Sequence, residues 1–99
     1  MRVSVEKLIV NNMYFLDVND LTGESETDKK CLRLMDKYEG KCKFLSLDTG
    51  VAKFQKGTDI FEIYCSSNGN FIYFDNNYKV MDENVGNEPY FIITFEFYM

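Results

Sequence analysis

Residues able to do chemistry are few in this chain, and their types narrow the options. The 99-residue sequence contains no His. A Ser-His-Asp or Cys-His catalytic pair is therefore excluded. The commonest transition-metal ligand is missing too. What remains is 16 Asp+Glu, 11 Lys+Arg, seven Tyr and three Cys. Cys31, Cys42 and Cys65 show no CxxC spacing and read as small buried side chains. A reactive thiol needs cations beside it; Cys31 follows Lys29-Lys30, and Cys42 lies between Lys41 and Lys43. The run Asp17 to Glu24 fails as a calcium loop, because Leu21 and Thr22 stand where an oxygen ligand and a Gly are required. Ser66-Ser67-Asn68-Gly69 lacks the second Gly and the Lys of a phosphate loop. The expectation is a non-enzymatic binding protein with no cofactor and no metal.

Binding chemistry is better represented. The formal net charge is −5, yet the charges are segregated along the chain. Residues 1–28 sum to −4, residues 29–56 to +5 and residues 57–99 to −6. The middle segment interleaves Arg33, Lys37, Lys41 and Lys43 with Tyr38, Phe44 and Phe54. Lysines that track phosphates and aromatic faces that stack bases are the means by which single-strand binders work. Arg33 and Lys37 are expected to contact phosphates, with Phe44 stacking a base between them. Tyr38, Lys41 and Lys43 join that site if the turn at Glu39-Gly40 projects beyond the core.

The elements that position these residues follow from alternation. Val3, Val5 and Ile9 share one parity, which predicts a first strand. Met13 to Val18 predicts a second, after an Asn11-Asn12 turn. Asn19 to Asp28 reads as a polar loop. Lys30 to Asp48 admits two readings. As a hairpin about Glu39-Gly40, Asp36 faces Lys43, Leu34 faces Leu45 and Leu32 faces Leu47, so charges and apolar pairs both match. As a helix over about 28–39, Cys31, Leu34, Met35 and Tyr38 form its stripe and Gly40 ends it. The hairpin is preferred for its pairing; it puts Phe44 on an open face with Arg33 and Lys37. Val51 to Gly57 reads as a short helical connector. Strands are expected at Ile60 to Cys65 and Phe71 to Phe74, joined through Asn68-Gly69. The closing strand, Tyr90 to Met99, places Phe91, Ile93, Phe95 and Phe97 on one parity. The fold class expected is mainly β, a small antiparallel barrel or rolled sheet in a single domain, with α+β as the alternative if 28–39 is helical.

The stretch Val51-Ala52-Lys53-Phe54-Gln55-Lys56-Gly57-Thr58-Asp59-Ile60-Phe61-Glu62-Ile63, followed by Phe71-Ile72-Tyr73-Phe74, resembles the connector and closing strands of OB-fold single-stranded-DNA-binding proteins of phage and plasmid type. The resemblance covers about half the chain. It implies an OB-like barrel that binds single-stranded nucleic acid. The chain has no Trp and no acidic tail ending in Pro-Phe, so none of the family's binding residues is carried over.

The acidic C-terminal part supports a second class of function. Tyr78, Asp82, Glu83, Glu88 and Tyr90 could form an acidic, aromatic face for a protein partner. Such a face would suit an inhibitor of a host nucleic-acid enzyme encoded by a phage or mobile element, because it imitates phosphates. The last strand could also pair across an edge to make a homodimer. No apolar run is long enough to cross a bilayer, so no membrane association is expected. Residues 1–7 do not read as a signal peptide, and with an odd cysteine count the expected location is the cytoplasm.

Overall fold

The computed structural model of the chain describes residues 1–19, 33–82 and 88–99. Seven strands are present: β1 (Arg2–Val3), β2 (Met13–Asn19), β3 (Gly40–Asp48), β4 (Val51–Lys56), β5 (Asp59–Ser66), β6 (Gly69–Phe74) and β7 (Phe91–Tyr98). Strands β2 to β7 form one antiparallel sheet, and β7 closes it by pairing with both β2 and β6. The result is a six-stranded barrel with β1 added. A small antiparallel barrel is the class that the alternation predicts. The short strand β1 lies beyond the end of β6 on the same edge of β7, since β6 pairs up to Thr94 and β1 pairs with Phe97 and Tyr98.

Period-two patterning decides what enters the barrel. Tyr14, Leu16 and Val18 point inward from β2, and Ile93, Phe95 and Phe97 from β7. Cys42 and Phe44 do so from β3, Ala52 and Phe54 from β4, Phe61 and Ile63 from β5, Ile72 and Phe74 from β6. The rings interlock: Phe54 stacks on Phe97 at 5.3 Å and meets Phe44 at 5.5 Å. Offset and tilted rings of this kind add to what buried area alone provides.

Residues 33–38 form a helix, α1, with Glu39 N–H donating to Met35 O at 2.8 Å. The preferred hairpin is thus corrected in favour of its helical rival, whose residues 28–32 lie outside the described chain. Lys, Leu, Arg and Met favour a helix here, and the matched pairs of the hairpin register are coincidental. Gly40 has φ 101°, which lets the chain leave the helix and enter β3 directly. β3 then pairs with β2 and β4 instead of with residues 33–38.

Three other expectations change. Val51–Lys56 is strand β4, not a helical connector. The turn before it, Thr49-Gly50, has φ 52° and 77° at its two central residues, the twist a tight hairpin needs. The first predicted strand is confined to Arg2–Val3, because Val5–Lys7 winds into a 3-10 turn and Ile9 is exposed. Finally, β7 has neighbours on both edges, so the homodimer through that strand loses the free edge it requires.

The closed core carries titratable groups that must stay neutral. Burial pushes the thiols of Cys42 and Cys65 to about 11. A neighbouring Lys56 opposes this at Cys42, and a backbone hydrogen bond to Ala52 opposes it at Cys65. Burial, and then Asp59, raise the Tyr38 hydroxyl. An acid whose folded value is raised stabilises the fold fully below its unfolded value and loses that contribution as the pH climbs through the folded one. The urea midpoint is therefore expected to hold up to pH about 9 and to fall between there and about 11. A midpoint flat across that window would contradict this burial.

Candidate nucleic-acid interface

The structure divides the residues expected to bind nucleic acid into two groups. Phe44 is 2% exposed and Tyr38 is 4% exposed. Neither can stack a base. The reason for Phe44 is register: it faces Phe54 across β3–β4, with both rings directed into the barrel. Tyr38 turns inward from α1 and meets Phe61 at 5.0 Å and Phe74 at 6.1 Å. Arg33 and Lys37 are exposed on α1, and Lys37 Nζ lies 5.7 Å from the centre of the Tyr38 ring. Lys41 and Lys43 point outward from β3, on the parity opposite Cys42 and Phe44.

A different aromatic stands beside those two lysines. Phe15, on β2, is directly opposite Lys41 and is 52% exposed. Met13 is opposite Lys43 and is also exposed. Lys43 continues the row to Gln55 of β4, and a bulge at Leu45 brings Ser46 opposite Lys53. The outer face of β2–β4 thus combines Phe15 and Met13 with Lys41, Lys43 and Lys53. Among the described residues, none of these three lysines forms an ion pair. The signal for Phe15 was legible in the sequence: if Tyr14, Leu16 and Val18 are core, Phe15 must face out.

Beyond Phe15 the charge reverses. Tyr98 is its partner on β7, and the Tyr98 hydroxyl donates to Glu96 Oε2 at 2.6 Å. That bond is the main reason the Tyr98 hydroxyl is raised. Arg2 reaches Glu96 at 3.7 Å, and Asp17 lies opposite Glu96 on β2. Acids therefore bound the face on the β7 side, and lysines occupy its β3–β4 side.

Lys56 has a separate task. Its Nζ donates to Asp36 O at 2.6 Å and to Glu39 O at 2.5 Å. These carbonyls belong to the end of α1 and have no partner from the helix itself. Cation and carbonyl dipoles attract there, so Lys56 fastens the helix to β4.

The residues of the alternative, acidic face are partly brought together. Tyr78 meets Tyr90 at 6.1 Å and Phe91 at 5.5 Å. Asp82 and Glu88 are exposed, and Glu83 lies outside the described residues. Tyr78 has φ 62°, a conformation unfavourable for an aromatic residue. Among the described residues, no three His, Cys, Asp or Glu side chains could hold a metal ion, and no helix is long and apolar enough to cross a membrane. Comparison with protein-family models, curated proteins and solved structures finds no match.

Lys56→Met is expected to cost about 1–2 kcal/mol of stability through the lost helix cap. Lys53→Met, which loses no such bond, is expected to stay within about 0.5 kcal/mol of the parent. Urea denaturation separates the two; equal losses would deny Lys56 its capping role.

Proposed function

We propose that this protein is a non-catalytic binding module that takes single-stranded nucleic acid on the outer face of β2–β4. The observation that carries this reading is Phe15, exposed and directly across from Lys41, with Met13 and Lys43 alongside. A base stacks on Phe15 while Lys41, Lys43 and Lys53 meet successive phosphates. Phe15 replaces Phe44 as the stacking residue, and Tyr38 becomes core. The acids on the β7 side repel phosphate and so orient the strand toward β3–β4.

Anisotropy of a labelled oligo(dT), titrated at several salt concentrations, tests the reading. Three phosphate contacts give a slope of log affinity on log salt of about −2. Phe15→Ala is expected to weaken binding by about 1–3 kcal/mol, and Phe15→Tyr to retain it. Absence of binding at low salt, or full binding by Phe15→Ala, would refute the assignment.

A second reading, in which the acidic C-terminal face docks on a basic cleft of a host nucleic-acid enzyme, draws on one observation. Tyr78 is held at φ 62° in ring contact with Tyr90 and Phe91, and Asp82 and Glu88 are exposed. Strained residues of this kind collect at functional sites. In this reading the parent inhibits nuclease activity in a host lysate and an Asp82→Lys/Glu88→Lys variant does so at least about tenfold less well. Equal inhibition by both forms would remove the face from consideration.

A further inference from the structure

The barrel wall is incomplete between β5 and β6. These strands pair only at Tyr64–Phe71, Cys65–Asn70 and Ser66–Gly69. The rest of β5, from Asp59 to Ile63, has a partner on the β4 side alone. Ladder alternation then states which backbone groups are open. Cys65 N–H donates toward β4, to Gly50 O. Period two places the N–H and C=O of Ile63 and Phe61 on that same side. The N–H and C=O of Ile60 and Glu62 face the other way, into the gap. Among the described residues they have no partner there.

The opposite wall of the gap is built from residues 79–81. Met81 N–H donates to Tyr73 O at 2.8 Å, and Asp75 N–H donates to Lys79 O at 2.9 Å, which makes the bridge between Phe74 and Val80. This short segment takes the place beside β6 that β5 has left. Its bonds at 79 and 81 point at β6, so Val80 points its backbone groups back toward β5. Two strand edges therefore face one another across a cleft of about 490 Å³. Ile60 is 58% exposed and Val80 54% exposed on its rims.

Side chains define what would fit. Tyr38, Phe61 and Ile72 form an apolar floor. Asp59, Glu62 and Asp82 line the cleft. Lys37 and Lys53 line it too, so the three carboxylates leave the lining with a net charge of −1, which favours a cationic occupant.

We propose that this cleft binds an extended, basic segment of a partner protein by strand addition to β5. The segment pairs its backbone with Ile60 and Glu62 and alternates its side chains. Apolar residues point down onto Tyr38 and Phe61, and Lys or Arg residues point out beside Glu62 and Asp82. Backbone pairing supplies affinity, and the alternate side chains supply selectivity. This site meets the β2–β4 face only at Lys53 and does not depend on the reading given to that face.

The test uses the full chain and a labelled peptide, Lys-Val-Lys-Val-Lys-Val-Lys. It is expected to bind, and to slow hydrogen exchange at the amides of Ile60 and Glu62 at least about tenfold. Methylating the amides along one edge of the peptide is expected to weaken binding at least about tenfold, as is Glu-for-Lys replacement throughout. Ile60→Pro removes a donor that faces the gap while sparing the β4 ladder, and it is expected to weaken binding similarly. The methylated peptide decides the matter if that variant does not fold. Phe15→Ala is expected to bind the peptide as the parent does. The proposal is overturned if the methylated or acidic peptide binds equally well, or if exchange at Ile60 and Glu62 is unchanged. It is also overturned if oligo(dT) protects those amides and the peptide does not.

Discussion

Closure through β7 is the constraint on which the other features depend. Its two edges are taken by β2 on one side and by β6 and β1 on the other. Once the sheet is closed, every strand must send one parity into a common interior. That interior is filled almost wholly by aromatic and branched residues, among which Phe44, Phe54, Phe74, Phe95 and Phe97 are all fully buried. Rings of this size leave no room for a ligand inside so small a barrel. Binding chemistry is thereby confined to the outer faces and to any break in the wall.

The closing strand was legible because its signal was redundant. Ile93, Phe95 and Phe97 are all large, all of one parity, and flanked by Ile92, Thr94 and Glu96 on the other. The middle of the chain was less so, for physical reasons. At Leu32, Leu34, Leu45 and Leu47 the apolar positions satisfy a hairpin register by chance, and helix propensity is too weak a guide to outvote it. A one-residue choice of face then moved Phe44 to the surface, since a register change inverts every side chain. The bulge at Leu45 compounds this, because the extra residue breaks the alternation and leaves Leu47 opposite Ala52 yet 42% exposed. The same weakness turned Val51–Lys56 into a helix, although Ala52 and Phe54 alternate with Lys53 and Gln55 as a strand requires.

For the candidate site, the charge and the outward parity of Phe15 were legible, but the pairing that sets Phe15 beside the lysines was not. Segregation of the lysines survives folding: Lys41, Lys43 and Lys53 share one outer face. Counting charges could not tell a ligand-facing lysine from one with structural work, and Lys56 is the latter. The aromatics of the basic segment itself, Tyr38, Phe44 and Phe54, are core. Sheet pairing brings the exposed ring beside the lysines from β2 instead, which is remote in sequence and acidic in its average charge.

The break in the wall and the helix that covers the core meet at Tyr38. Tyr38 enters from α1 between Phe61 of β5 and Phe74 of β6, with Phe95 beyond at 6.4 Å. At the far end of the β5–β6 hairpin no such ring intervenes, and the two strands pair normally through Ser66 and Gly69. Where Tyr38 is inserted, the strands diverge and their ladder stops. The ring's contacts offset the backbone bonds forgone, because a buried aromatic displaces water from a wide area. The edge left open at Ile60 and Glu62 thus lies where the helix packs onto the core, and any extended segment added there would lie over the Tyr38 ring.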